Sequence, residues 1–77
     1  MSASGQDLVR QLIAAVADAD PERARPVLHP YLHWTEGDVT TRGRTRVLAL
    51  LSRRTVLRVP VRVQLRDGQI YRWDSGD

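Results

Sequence analysis

The stretch "VRVQLRDGQIYRW", Val61 to Trp73, decides how this chain folds. Branched and aromatic residues alternate with polar ones on both sides of Asp67–Gly68, the pattern of a β-hairpin. The alternation starts further back, at Leu57. Leu57, Val59, Val61, Val63 and Leu65 fall on one face, and Arg58, Pro60, Arg62, Gln64 and Arg66 on the other. Period two of this kind predicts a sheet with one buried and one polar face. Pro60 has no N–H to give, so the strand is expected to be at an edge or bulged there.

Two turns fit the hairpin. A two-residue turn at Asp67–Gly68 sets Leu65 opposite Ile70, Val63 opposite Arg72 and Val61 opposite Asp74. That places an arginine and an aspartate on the apolar face, which is costly unless they are paired. A three-residue turn, Arg66 to Gly68, sets Leu65 opposite Gln69, Val63 opposite Tyr71 and Val61 opposite Trp73. The binary pattern favours the second, because the aromatics then join the valines. A slip of one residue reverses every side chain.

Upstream, Ser4 and Asp7 fit a capping box. Leu8, Val9, Leu12, Ile13 and Val16 recur at helical spacing, so a helix is predicted over residues 5–18. In "DADPER", Asp20 can cap and Pro21 can open a second, short helix. His29–Pro30 should end that helix. "YLHWT", Tyr31 to Thr35, alternates as a short strand, with Leu32 and Trp34 on one face and Tyr31, His33 and Thr35 on the other. "EGDVTTRGR" reads as a loop with one bridge near Val39. Thr45 can cap a third helix carrying Val47, Leu48, Leu50 and Leu51, with Arg53 and Arg54 favourable to the dipole of its last turn.

Seventy-seven residues make one small domain, 1–77, marginal unless something adds to its core. There is no cysteine, which excludes disulfides and thiolate metal sites. His29 and His33 alone cannot close a zinc site, and no metal is expected. Oligomerisation is the remaining stabiliser, so a homodimer is expected. The net charge is +3, and all twelve basic residues are arginines. An excess this modest is common on soluble domains and does not by itself argue for nucleic acid. No apolar run reaches membrane-spanning length. "MSASGQD" has neither a basic nor an apolar leader region, so a cytoplasmic protein is expected, without a membrane partner.

The order of these elements, with "ADPERARPVLHPYLHWTEG", "TRGRTRVLALL" and "VQLRDGQIYRWD", resembles the nuclear transport factor 2-like superfamily. Within it, the resemblance is to the SnoaL-like polyketide cyclase and ketosteroid isomerase-like groups. The resemblance implies an α+β fold: a curved antiparallel sheet packed on about three helices as a truncated cone, with a pocket between sheet and helices. Such proteins have about four long strands after the third helix, whereas this sequence has room for two. Related chains ending in "W-R-D" carry the acid two residues after the tryptophan. Here Ser75 holds that position, and the acid is Asp74.

The function this implies is binding of an apolar, aromatic or polyketide-like small molecule. Any reaction would be a cofactor-free isomerisation, cyclisation or dehydration by acid–base chemistry. His33 is the side chain whose ordinary pKa suits proton transfer near neutrality, and Asp74 and Asp38 are the carboxylates best suited to act as a general base. Tyr31, Trp34, Tyr71 and Trp73 are the candidate ligand-binding residues, as an aromatic wall and as phenolic donors. The plainer alternatives are an outward His33, a solvated Asp74 and rings that fill the core. Arg58, Arg62, Arg66 and Arg72 form a basic stripe on the outer sheet face, able to meet phosphate or an acidic partner. The competing function is a homodimerisation or interaction module that has lost its active hairpin.

Overall fold

The computed structural model describes residues 5–76. An amphipathic helix α1, Gly5–Ala17, comes first, and a 3-10 helix, Pro21–Val27, follows it. A hairpin of β1, Leu28–Glu36, and β2, Val39–Arg42, leads into helix α2, Arg44–Leu51. The hairpin of β3, Arg62–Arg66, and β4, Gln69–Asp74, completes the fold. The strands form one open curved sheet in the order β2-β1-β4-β3. The class is α+β with helices packed on a curved sheet, as expected. The sheet itself is mixed: β1 runs parallel to β4, while both hairpins are antiparallel. A parallel pair needs a long crossover, which α2 and the segment after it supply.

Leu8, Leu12, Ala15 and Val16 of α1 are buried, the spacing of a single helix face. Ala19 ends the helix in the left-handed region, with φ 57°. The N–H groups of Ala19 and Asp20 donate to the carbonyls of Val16 and Ala15, closing a Schellman-type cap. Glycine usually fills that position, because a Cβ is strained there. The proposed Ser4 cap lies outside the described residues. Asp20 and Gly43 occupy the N-cap positions of the next two helices, and neither end has a side-chain cap hydrogen bond. Thr45 therefore sits inside α2 rather than capping it.

The core joins α1 and α2 to the inner face of the sheet through Leu28, Leu32, Trp34, Val47, Leu51, Ile70 and Trp73. Trp34 and Trp73 are register partners in the parallel pair. Their rings stack with centroids 4.5 Å apart and planes 7° apart. The Trp73 indole N–H donates to Ser75 Oγ at 3.1 Å. At the end of β1, both terminal nitrogens of Arg54 donate to the two carboxylate oxygens of Glu36, one of them at 2.6 Å. This fork fastens the segment after α2 to the sheet. The Arg54 hydrogen bonds, and then its charge, hold the Glu36 carboxyl below its ordinary value; burial opposes them.

Three expectations about strand boundaries change. "EGDVTTRGR" is a full hairpin rather than a loop. Gly37–Asp38 is its two-residue turn, and the registry runs from Glu36–Val39 to His33–Arg42. The strand before it starts at Leu28, so His29 and Pro30 belong to β1 rather than to a helix end. The alternating run from Leu57 is strand only from Arg62. Leu57 is buried, but Val59 and Val61 are 73% and 72% exposed. Arg62 pairs with Asp74, the last residue of β4, so residues 56–60 lie beyond the strand that could pair with them.

The closing hairpin adopts neither expected register. Asp67 and Gly68 both have positive φ, 55° and 76°, as a two-residue type I′ turn requires. Arg66 faces Gln69 and Leu65 faces Ile70. A bulge then shifts the ladder, so that Gln64 faces Arg72, Val63 faces Trp73 and Arg62 faces Asp74. Tyr71 is the extra residue. Ile70 and Trp73 both point into the core, with Tyr71 and Arg72 on the other side between them.

Candidate functional site

Helices cover one face of the sheet, and the opposite face is open. Because side chains alternate along each strand, the residues flanking Trp34 and Trp73 come up on that open face. The register arranges them in two rows. Arg42, His33, Arg72 and Gln64 cross the four strands in one row. Thr40, Thr35, Asp74 and Arg62 cross them in the next. Together they line a groove of about 710 Å³.

His33 is half-buried at the centre of this groove. Its ring lies edge-on to Tyr71, with centroids 5.4 Å apart. The bulge brings Tyr71 here. The same ring meets His29 at 5.1 Å and carries the guanidinium groups of Arg66 and Arg72 at 5.3 and 5.9 Å from its centre. His29 is buried: its Nδ1 accepts the Tyr31 N–H at 3.0 Å, and its Nε2 lies 3.7 Å from an Asp67 carboxylate oxygen. The Thr35 and Thr40 hydroxyls are 3.2 Å apart across the β1–β2 pair. Asp74 accepts the Gly76 N–H at 2.8 Å, which turns the backbone after β4.

The electrostatics are one-sided. Arg42, Arg62 and Arg72 border the groove, and among the described residues none of them forms an ion pair. Asp74 is the sole carboxylate in the lining. Guanidinium groups present rigid forks of donors, matched to carboxylate and phosphate oxygens. What the groove offers is therefore an anion site with an imidazole and a phenol beside it. Among the described residues, no group of three or more histidines and carboxylates is placed to hold a metal ion. No described helix is long and apolar enough to cross a membrane.

The sequence-derived residues separate into three places. His33, Asp74 and Tyr71 share the open face. Trp34 and Trp73 are stacked in the core, with relative exposures of 0% and 1%, and Trp73 also borders the groove from beneath. Tyr31 is 75% exposed and is not part of this groove's lining. Arg42, Thr35, Thr40 and Gln64 join the site without having been singled out. Arg42 was hidden because β2 is polar and mostly exposed, so it lacks the apolar alternation that marks a strand. Arg62 and Arg72 were visible as part of the basic stripe, though without their histidine and tyrosine neighbours.

No protein-family model, curated protein or solved structure matches this chain.

Proposed function

We propose that this protein binds an acidic small molecule with a flat, partly apolar body in the groove on the open face of its sheet. One observation carries the reading: Arg42 and Arg72 flank His33 in a single cross-strand row, and neither forms an ion pair among the described residues. Two guanidinium groups fixed on neighbouring strands favour an anion between them. The edge of Tyr71 beside His33 suits a flat ring. The sequence led us to expect an apolar ligand in an interior pocket. The stacked tryptophans occupy that interior, which supports moving the ligand outside and giving it a charge. The resemblance of its sequence is the ground for treating the chain as a shortened nuclear transport factor 2-like domain.

If the ligand is also turned over, the chemistry this groove supports is cofactor-free proton transfer: isomerisation, cyclisation or dehydration. His33 would carry the proton, and the arginines would stabilise negative charge as it develops. Asp74 lies one row from His33 on the same face, a diagonal neighbour of the kind that long side chains bridge.

Chemical-shift mapping with naphthoate and its neutral counterpart naphthamide tests the binding. Naphthoate should shift His33, Tyr71, Arg42 and Arg72, and the amide should not. Combining Arg42→Ala with Arg72→Ala should remove the response. Equal binding of the amide, or shifts confined to another surface, would overturn the proposal. His33→Gln isolates the catalytic part, since it should leave naphthoate binding in place while abolishing turnover.

A further inference from the structure

A second groove, of about 630 Å³, lies between α1 and the β3 edge. Its walls are apolar: Val9 and Ile13 of α1 on one side, and Val61, Val63 and Leu65 on the other. Arg10 and Arg62 stand at its rim. Strand β3 ends the sheet, so one row of its backbone N–H and C=O groups has no strand partner among the described residues. An exposed edge beside an apolar trough is the geometry on which an extended segment adds as a further strand.

The edge also has a charge pattern. Along β3, Arg62, Gln64 and Arg66 share one face, while Val63 and Leu65 share the other. Antiparallel pairing of β3 with a second copy, centred on Gln64, would set Arg62 opposite the partner's Arg66, and the partner's Arg62 opposite Arg66. Both are like-charge cross-strand pairs, which destabilise a sheet. The register that matches the full strand with itself is thus the one the arginines oppose. Carboxylates in the same two positions would pair with them. The apolar residues between those carboxylates would enter the trough against Val9 and Ile13.

We propose that the cleft between β3 and α1 captures an extended acidic peptide segment, in which carboxylates alternate with apolar residues, as an added strand. Pairing of two copies through this edge in that register is disfavoured by the same arginines.

The probe is a fluorescent synthetic peptide of alternating glutamate and valine, followed by anisotropy. It should bind, and the lysine–valine counterpart should not. Joint Arg62→Glu and Arg66→Glu substitution should weaken the glutamate peptide by about tenfold, through the two charge pairs lost, and favour the lysine peptide. Leu65→Asp blocks the trough on the protein side, with circular dichroism checking that the chain still folds. N-methylation of the peptide supplies a test that no protein variant can confound. Methyl groups on one alternate set of its amides should abolish binding, and on the other set leave it unchanged, because only one set faces β3. Equal loss from both sets, equal binding of the lysine peptide, or free protein that sediments as a dimer sensitive to Leu65→Asp would each overturn the proposal. None of these outcomes depends on whether the groove around His33 binds naphthoate.

Discussion

The two faces of the sheet are built from the same strands and have opposite characters. On the helix side, Trp34 lies on Trp73 and Trp73 faces Val63 across the register. One residue along each strand, the opposite face carries Arg42, His33, Arg72 and Gln64. The inner tryptophans are buried, and the outer row is charged and open. A domain of this size cannot both fill its core and keep an interior pocket with so few large side chains: the chain has two tryptophans, two tyrosines and no phenylalanine. Here the two tryptophan rings lie in the core, and the polar face is open.

The contrast fails if the inner row can be thinned without loss. Trp34→Ala or Trp73→Ala should cost about 3–5 kcal/mol, enough to unfold a marginal domain at room temperature. Thermal or urea denaturation followed by circular dichroism checks this. A folded Trp73→Ala protein that gained affinity for naphthalene would instead mean that an interior pocket lies latent under the ring.

The Arg54–Glu36 fork comes next in size. Arg54→Ala should cost roughly 1–2 kcal/mol, since it removes two charge-assisted hydrogen bonds at a partly buried site. The pH dependence has a definite sign. Glu36 is held below its ordinary value, near 4.5, so its contribution is complete above that value. It is lost as the pH falls through the lower folded value. Urea titrations of the wild type should therefore weaken over that acid range. Those of Arg54→Ala should weaken less.

A smaller effect, of the opposite sign, is expected where the covering helix ends. Ala19→Gly relieves a left-handed alanine and should stabilise the fold by up to about 1 kcal/mol. The smallest change belongs to the open face: Arg72→Ala should alter stability by less than about 0.5 kcal/mol, as exposed substitutions do. It should nevertheless weaken naphthoate binding. A large loss of stability from Arg72→Ala would erase the distinction between the two faces.

Much of the inner face was legible in the sequence. The α1 spacing, the apolar stripe of α2 and the alternation around Trp34 all point to burial. The outer site was legible only in pieces, for three physical reasons. β2 carries Val39, Thr40, Thr41 and Arg42, and an edge strand this exposed has no apolar period to read. The alternation from Leu57 to Val61 is real, but a strand also needs a neighbour, and β4 ends its pairing at Arg62. Finally, the binary pattern of "QIYRW" cannot distinguish a longer turn from a bulge, since both bring Trp73 to the apolar side.

That bulge has a consequence for how the chain tolerates editing. With Tyr71 deleted, Ile70, Arg72, Trp73 and Asp74 would still oppose Leu65, Gln64, Val63 and Arg62 in an unbroken ladder, with inward and outward residues alternating. The hairpin is complete without its tyrosine. Tyr71 is thus a spare letter in the grammar of the β3–β4 pair: its removal would silence the phenol between the two histidines and the platform beneath Arg66 and Arg72.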